Sequence, residues 1–338
     1  MTFASRITGT GSAFPEARIS NHELAQQLAR LDITTSHDWI FERTGISERR
    51  YADLTRESEQ NSSLAAAAAR EALEMAGRKP LDIDQIIVAT CTPESLIPST
   101  ACWVQKKLGA HRAWATDINA ACTGFIYGLA IAGRFIQAGD THTALVIGSE
   151  VLHPFLDWKD RASCILFGDG AGAAVVESVE EGNSRKILAH YLHSDGRLGK
   201  LLHIPAYDTT WDHAFVLEEH GTNRKMVMNG REIFKAAVRT MTQCAHRVME
   251  KAAIPLDAID WFVPHQANQR ILEAVANRLA IPFDKVLINV NKYGNTSAAT
   301  IPTILDEAVR DSRIQEGQLL LLDAFGAGLT HGAMLIRW

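Results

Sequence analysis

The chain has 338 residues, of which 46% are hydrophobic and 22% charged, and its formal net charge at pH 7 is -5. This composition is typical of a globular protein and excludes a disordered or fibrous chain, and the length allows one large domain or two smaller ones. The mildly acidic balance gives no sign of nucleic-acid binding, which normally requires a basic domain.

The amino-terminal segment, "MTFASRITGTGSAFPEARIS", has no basic run followed by an apolar core. A secretory signal requires that pattern, so we expect no export. Elsewhere no stretch approaches the roughly 18 consecutive apolar residues of a membrane span. We therefore predict a cytoplasmic protein with no membrane partner.

Two segments further along the chain resemble each other. "ALEMAGRKPLDIDQIIVATCTP" and "VMEKAAIPLDAIDWFVPHQAN" each give a helix end, a Pro-Leu-Asp segment and an apolar strand. Aligning Asp84 with Asp260 gives an offset of 260 − 84 = 176 residues, and this offset carries Asn119 onto Asn295. Because a polar turn, a helix and a strand follow in both copies, the pattern predicts a duplicated α/β unit rather than a short-period solenoid.

The two predicted halves are residues 1–177 and 178–338. Their strands, such as "IIVAT", "ALVIG" and "QLLLLDA", are continuously apolar and alternate with helices, as strands covered by helices on both faces would be. The apolar spacing over about residues 230–253 predicts an amphipathic helix, whereas the predicted helix after Cys122 is apolar nearly all round. We expect this second helix to be central, with Cys122 at its amino-terminal end.

The cysteines indicate free thiols rather than disulfides or a zinc site. Their number is odd and they contain no C-x-x-C pair, and the 13 histidines contain no H-E-x-x-H motif, so we predict no metal. The five cysteines are Cys91, Cys102, Cys122, Cys164 and Cys244.

Cys122 is the candidate nucleophile. A thiol at a helix start is close to the positive end of the helix dipole and to unpaired N–H groups, so we expect its pKa to be lowered. Such a thiol could accept an acyl group as a thioester, with its own N–H stabilising the oxyanion. The alternative is a buried cysteine that only fills space.

The second half offers two polar partners. His265 follows an apolar strand in "FVPHQAN", and Asn295 lies at the turn before a helix in "KYGNTSAAT". Strand carboxyl ends in α/β sheets are where ligand sites form. Alone, a histidine there is more often structural and an asparagine beside glycine is more often a turn or cap. If the two halves pack face to face, however, Cys122, His265 and Asn295 converge in one pocket.

These residues lie in motifs that resemble a known family. "DINAACTGF", "ILFGDGAGAAVVE", "VPHQANQRI", "YGNTSAAT" and "DAFGAGLTHGA" are similar, in order, to the motifs of β-ketoacyl-acyl carrier protein synthase III, a condensing enzyme of the thiolase superfamily. The resemblance covers nearly the whole chain. It implies a thiolase-like fold in which two pseudo-duplicated α/β halves with mixed five-stranded sheets form α-β-α-β-α layers.

The resemblance also implies a mechanism. Cys122 would take an acyl group from a coenzyme A (CoA) thioester. His265 and Asn295 would then stabilise the enolate formed when malonyl-acyl carrier protein loses carbon dioxide. No cofactor is implied beyond the CoA of the substrate, and the family implies a homodimer.

Further roles follow from the resemblance alone. In the glycine-rich loop, Ala327 and Gly328 would help to stabilise the acyl oxyanion, although Ala327 stands where the family usually has glycine and Ala resists positive φ. "FGDGAG" lacks the Lys-Ser/Thr of a phosphate loop and indicates a tight turn. The remaining implied residues are Trp39, Arg43 and Arg161 for CoA, Ile97, Phe234 and Phe325 for the acyl pocket, and Lys235, Arg270 and Arg278 for the carrier protein.

Three further positions depart from the family pattern. Asn277 replaces a basic residue near the carrier-protein positions, which weakens that patch. Ile97 stands where an aromatic often reaches across the dimer, and His331 replaces a tryptophan in the last motif. A differently shaped pocket wall leads us to expect a primer longer than acetyl.

Three alternatives remain open at this point. The first is a synthase III-like acyltransferase or condensing enzyme of secondary metabolism, which would use another acceptor. The second is an inactive thiolase-fold subunit that binds a carrier protein or a partner enzyme. The third, a degradative thiolase, is disfavoured because it would use a second cysteine where this chain has His265 and Asn295.

Overall fold

The structure is a computed structural model that describes residues 3–205 and 225–338. These ranges contain thirteen strands and ten α-helices. The strands are β1 (Phe3–Ala13), β2 (Ala17–Ser20), β3 (Glu48–Tyr51), β4 (Gln85–Ala89), β5 (Trp114–Ile118), β6 (Thr143–Glu150), β7 (Gly170–Glu180), β8 (Lys186–Ser194), β9 (Leu202–His203), β10 (Val227–Met228), β11 (Trp261–Pro264), β12 (Leu319–Gly326) and β13 (Thr330–Arg337).

The helices alternate with these strands along much of the chain. They are α1 (Asn21–Ala29), α2 (His37–Thr44), α3 (Asn61–Ala76), α4 (Thr100–Leu108), α5 (Gly124–Ala138), α6 (Arg161–Cys164), α7 (Gly230–Ala252), α8 (Gln269–Leu279), α9 (Val290–Tyr293) and α10 (Thr300–Arg310). Within the described residues, no helix combines the length and the apolar character that a bilayer crossing requires.

Two mixed sheets share one topology. The first has the order β1-β7-β6-β4-β5, and the second has the order β8-β13-β12-β11. In both sheets the strands on one side are parallel and the others antiparallel. β7 extends to Glu180, so the proposed boundary between residues 177 and 178 lies inside this strand.

The second sheet has four strands in the described residues and not the five that we expected. The counterpart of β5 is reduced to one bridge between Phe262 and Val286 and a bond from the Leu287 N–H to the Phe262 carbonyl (2.9 Å). The Gln266 side chain then donates to the Leu287 carbonyl and accepts from the Asn289 N–H, with both hydrogen bonds 3.0 Å long. Because a side chain occupies these backbone groups, the strand ladder does not continue.

The offset of 176 residues relates corresponding elements of the two halves. It carries β6 onto β12, and it carries the first residue of α5 onto the first residue of α10. It also carries the 3-10 turn at 121–123 onto the one at 297–299, and the first residues of these turns, Ala121 and Ser297, share a left-handed φ of 47° and 51°. The duplicated unit therefore includes the strained turn before each central helix.

The elements form five layers. α5 and α10 pack between the two sheets in one apolar core, α3 and α4 cover the outer face of the first sheet, and α7 and α8 cover that of the second. Phe125, Ile126 and Leu129 of α5 are fully buried, and each such side chain stabilises the fold by about 1.5–3 kcal/mol. The central helix is rigidly held, and so is the turn at its start.

Candidate active site

Cys122, His265 and Asn295 line one cavity of about 440 Å³ between the two halves. Cys122 comes from the turn before α5, His265 directly follows β11, and Asn295 precedes the turn before α10. The structure therefore brings together the three side chains that the duplicated pattern predicted to converge.

The electrostatics of Cys122 differ from the sequence expectation of a lowered pKa. Burial raises the pKa of the Cys122 thiol to about 12, although hydrogen bonds from the Ser297 side chain and from the Cys122 backbone act in the opposite direction. The side chain is only 7% exposed. Burial destabilises the thiolate by more than the start of the helix stabilises it, so Cys122 is a neutral thiol in the resting enzyme.

His265 is held by backbone and side-chain contacts. Its backbone N–H donates to the Asp323 backbone carbonyl (2.8 Å), and its ring Nδ1 lies 2.7 Å from the Thr300 hydroxyl. Burial lowers the pKa of His265 to about 3, so the ring is neutral near pH 7.

Asn295 has a defined amide orientation. Its backbone N–H donates to the Leu166 carbonyl (2.8 Å), and its carbonyl accepts from the Gly168 N–H (3.1 Å). Its side-chain Oδ1 accepts the Ser297 N–H at 2.8 Å. Because Oδ1 is the atom used in this way, Nδ2 is the atom left to donate into the cavity. The "FGDGAG" segment thus packs against the Asn295 turn.

The glycine-rich loop packs against the nucleophile turn. A Cβ at Gly326 would lie only 2.8 Å from the Cys122 backbone nitrogen, so this approach requires glycine. The Thr330 hydroxyl donates to the Ala120 carbonyl (2.7 Å) and fixes the loop to the turn. The positive φ of 123° falls on Gly328 and not on Ala327, which explains why an alanine is tolerated there.

A second cavity, of about 330 Å³, lies on another side of Cys122 and was not foreseen from the sequence. It shares Cys122, Phe167 and Leu202 with the first cavity. Its wall is mainly apolar but also contains Cys91 and Ser297. Cys122 therefore lies where two cavities meet.

Glu150, also missed in the sequence, lies behind this wall. It is fully buried at the end of β6, and its Oε1 is 2.9 Å from the Ser297 hydroxyl. The position of Ser297 near the nucleophile could have been predicted, because the offset of 176 maps it onto Ala121, the residue before Cys122. Glu150 gave no such signal, because the same offset maps it onto Gly326.

The predicted CoA residues form one cluster. The guanidinium carbons of Arg43 and Arg161 lie 4.3 and 4.2 Å from the centroid of the Trp39 ring. Trp39 and Arg43 line the first cavity. Two cations on one indole are a stable arrangement by themselves.

The predicted carrier-protein residues lie at and beside the first cavity. Arg270 lines it, whereas Lys235 and Arg278 line an adjoining surface groove with Arg239, which the sequence did not single out. Lys235 pairs with Glu232 at 2.9 Å on the surface.

The predicted acyl-pocket residues do not form one wall. Phe325 and Phe234 line the first cavity, the latter at 37% exposure. Ile97 is 89% exposed and lines neither cavity of the single chain. His331 also lines neither, and it lies opposite Phe325 in the β12–β13 register. His331 can therefore act on the pocket only indirectly, for example through Phe325.

In the part of the chain that the structure describes, no three histidine, cysteine or carboxylate side chains converge as a possible metal site.

Together, the layered duplication and the site place the molecule among condensing enzymes of thiolase-like fold. Family models described as 3-oxoacyl-[acyl-carrier-protein (ACP)] synthase III and as its C-terminal part match residues 116–196 and 249–338. The chain belongs to the β-ketoacyl-acyl carrier protein synthase III family and is an acyltransferase of fatty acid biosynthesis, as the sequence motifs predicted.

Full-length relatives support this assignment. The β-ketoacyl-[acyl-carrier-protein] synthase III of Thioalkalivibrio sulfidiphilus is 47% identical over 339 residues and covers 100% of both chains. That of Caldanaerobacter subterraneus is 48% identical over 335 residues, or 99% of this chain and 98% of the relative. The crystal structure of 3-oxoacyl-[acyl-carrier-protein] synthase III from Aquifex aeolicus is similar with a TM-score of 0.89 and 44% identity, over 99% of this chain and 100% of that one.

Proposed function

We propose that Cys122 carries the primer when this enzyme condenses an acyl-CoA with malonyl-acyl carrier protein to give a β-ketoacyl-acyl carrier protein. The observation that carries the proposal is the convergence of Cys122, His265 and Asn295 in one cavity between the halves. A nucleophile and two polar groups in one water-poor pocket suit a reaction that forms a thioester and then an enolate.

In the first step, the Cys122 sulfur attacks the acyl carbonyl and the CoA thiolate leaves. The oxyanion formed in between is stabilised by the N–H groups of Cys122 and Ala327. The close packing of Gly326 on the Cys122 turn supports this pairing, because it brings the two backbone segments together.

In the second step, malonyl-acyl carrier protein loses carbon dioxide while the Asn295 Nδ2 and the His265 Nε2 donate to the thioester oxygen. The Thr300 hydroxyl has one proton and two acceptors within reach, His265 Nδ1 at 2.7 Å and the Ser297 carbonyl at 2.9 Å. The proposed step requires that this proton be donated to Nδ1, which leaves the ring proton on Nε2. The resulting carbanion attacks the Cys122 thioester. Because two donors stabilise the enolate, the proposed reaction needs no cofactor beyond the CoA of the substrate.

Substrate entry is assigned to the mouth of the first cavity. Trp39 would stack on the adenine, with one of its two arginines moving onto a CoA phosphate. Lys235, Arg270 and Arg278 would receive the acidic carrier protein.

The second cavity would hold the acyl chain. Its volume of about 330 Å³ far exceeds what a two-carbon group fills, given that a water occupies about 30 Å³ in the liquid. This supports a primer longer than acetyl. The high exposure of Ile97 supports a homodimer in which that side chain meets the partner subunit.

The test is intact-protein mass spectrometry after incubation with acyl-CoAs of two to eight carbons, with Cys122→Ala as the control. The expected result is one acyl adduct that is lost in the variant. Absence of an adduct with every acyl-CoA, or an adduct that persists in Cys122→Ala, would refute the acyl-enzyme.

A further inference from the structure

We propose that Glu150 is the base that removes the Cys122 thiol proton, through the Ser297 hydroxyl, and that it returns this proton when Cys122 later leaves the acyl group. The inference rests on the proposed function, since it concerns how the same acyl-enzyme is made and resolved.

Ser297 lies between the sulfur and the carboxylate. It lines the second cavity together with Cys122, its side chain lowers the pKa of the Cys122 thiol, and its Oγ lies 2.9 Å from Glu150 Oε1. Ser297 is 2% exposed and held at a φ of 51° at the start of its turn. The hydroxyl therefore bridges the nucleophile and the carboxylate without exposure to bulk water.

The rest of the Glu150 carboxylate is fixed by donors. Its Oε2 accepts from the Thr92 hydroxyl (2.6 Å) and from the Cys91 N–H (3.1 Å), and the Cys91 thiol lies 3.3 Å from both oxygens. These donors compensate for burial of the charge. They also leave Oε1 as the oxygen directed at Ser297.

The packing of the two duplicated halves explains why the Glu150 carboxylate lies beside Ser297. At the end of β12, Gly326 packs against the Cys122 turn of the first half, where a Cβ would lie 2.8 Å from the Cys122 nitrogen. In the same way, the end of β6 packs against the Ser297 turn of the second half, where a Cβ at Gly148 would collide with the Ala298 carbonyl. Each strand end thus meets the turn of the opposite half, and only β6 ends in a side chain that can accept a proton.

The chemistry of the pocket requires such a base. The resting Cys122 is a neutral thiol, and burial makes His265 a weaker base than an ordinary histidine. Burial acts on Glu150 in the opposite direction and raises its pKa, which makes it a stronger base than an ordinary carboxylate. The titratable groups that face Glu150 are the thiols of Cys91 and Cys122. Burial raises the pKa of both thiols, so neither replaces it as the proton acceptor.

The proton and electron balance closes over the catalytic cycle. As the Cys122 sulfur attacks, its proton passes to Ser297 Oγ while the Ser297 hydroxyl proton passes to Glu150 Oε1. The C–S electron pair leaves on the CoA thiolate, which takes a proton from water at the cavity mouth. When the carbanion displaces Cys122, the relay reverses and restores the thiol and the carboxylate. During decarboxylation Glu150 is neutral, so it does not repel the enolate.

The experiment measures single-turnover acylation of Cys122 by quenched-flow mass spectrometry, with acetyl-CoA and with hexanoyl-CoA. Glu150→Gln and Ser297→Ala should each slow acylation at pH 7 by about 100-fold, the usual scale of a lost general base. In Glu150→Gln the rate should then rise about tenfold per pH unit, because hydroxide replaces the missing base. The wild-type rate should instead level off above the Glu150 titration.

Two readouts separate the relay from simple damage to the fold. Glu59 is a buried carboxylate that accepts the Asp53 N–H (2.7 Å) and lines neither cavity, so Glu59→Gln should acylate at the wild-type rate. Malonyl-acyl carrier protein decarboxylation without primer does not use the thiol, and it should be unchanged in Glu150→Gln.

The outcomes distinguish the two proposals. A wild-type protein that forms no adduct refutes the acyl-enzyme itself. The relay alone is overturned if the wild type forms the adduct and either Glu150→Gln or Ser297→Ala is acylated at a rate within about threefold of the wild type. Loss of a general base should slow the reaction by about 10²-fold. Loss of decarboxylation in Glu150→Gln together with acylation also overturns it, because the residue would then be structural.

Discussion

The side-chain Oδ1 of Asn295 accepts the backbone N–H of Ser297 at 2.8 Å, and this one contact determines which end of the amide faces the cavity. The donor Nδ2 is left for a substrate oxygen. The same contact ties Asn295 to the turn that precedes α10, so the donor sits on a rigid support.

Asn295→Asp tests the role of that donor. A carboxylate can still accept the Ser297 N–H, but it removes the donor and places a negative charge beside the enolate. We expect malonyl-acyl carrier protein decarboxylation to fall by about 10²–10³-fold, as when an oxyanion donor is lost. Acylation of Cys122 should change far less, because it does not use Nδ2. Equal losses in both half-reactions would contradict the assignment.

Thr300 sets the tautomer of His265 in the proposed mechanism. Thr300→Val keeps the shape but removes the hydroxyl 2.7 Å from Nδ1, so the proton can move from Nε2 to Nδ1. We expect decarboxylation to slow by about tenfold, which corresponds to about 1.4 kcal/mol, the scale of one hydrogen bond. Thr300→Ser retains the hydroxyl and should recover most of the rate. If Val and Ser variants behave alike, the hydroxyl does not orient the ring.

The neutrality of His265 has a consequence for stability against acid. The pKa of His265 is about 3 in the folded protein because of burial, whereas a histidine in the unfolded chain has the ordinary pKa of 6.5. Between these values the unfolded state binds a proton that the native state does not, so stability falls as the pH is lowered through this window. The contribution is at most about 1.4 kcal/mol per pH unit. Urea unfolding from pH 7 to pH 4 should therefore be less pH-dependent in His265→Gln. An unchanged slope would mean that the ring is protonated in the native state.

The sequence predicted the duplicated unit and the three converging side chains because these depend on local patterns. Asn119 and Asn295 mark equivalent turns, and apolar strands lead to each. The raised pKa of Cys122 could not be predicted, because a helix start can be recognised from sequence but the desolvation around it depends on packing from both halves. Glu150 was missed for the same reason, since it meets Ser297 only after the two halves pack together.

Trp39 offers a test of CoA binding that is separate from the chemistry. Trp39→Ala should raise the KM for acyl-CoA by about tenfold with little change in kcat, the scale of a stacking or cation–π contact. The matched substrate is an acyl-pantetheine, which lacks the adenine and the nucleotide phosphates. It should respond little to the same variant. A comparable KM increase for both substrates would place Trp39 in the packing of the cavity rather than in adenine recognition.

Primer length should follow the second cavity. The wild-type enzyme is expected to be acylated faster by four- to eight-carbon CoA thioesters than by acetyl-CoA. Ile204 lines this cavity and not the first, so Ile204→Trp fills it without entering the CoA path. Each excluded methylene costs about 1–3 kcal/mol in an apolar pocket, so the variant should lose the longer primers by at least tenfold and retain acetyl. Competition assays with mixed acyl-CoAs and mass detection give the ratios directly. Wild-type turnover of acetyl-CoA that equals or exceeds that of every longer primer would show that the cavity does not select the chain.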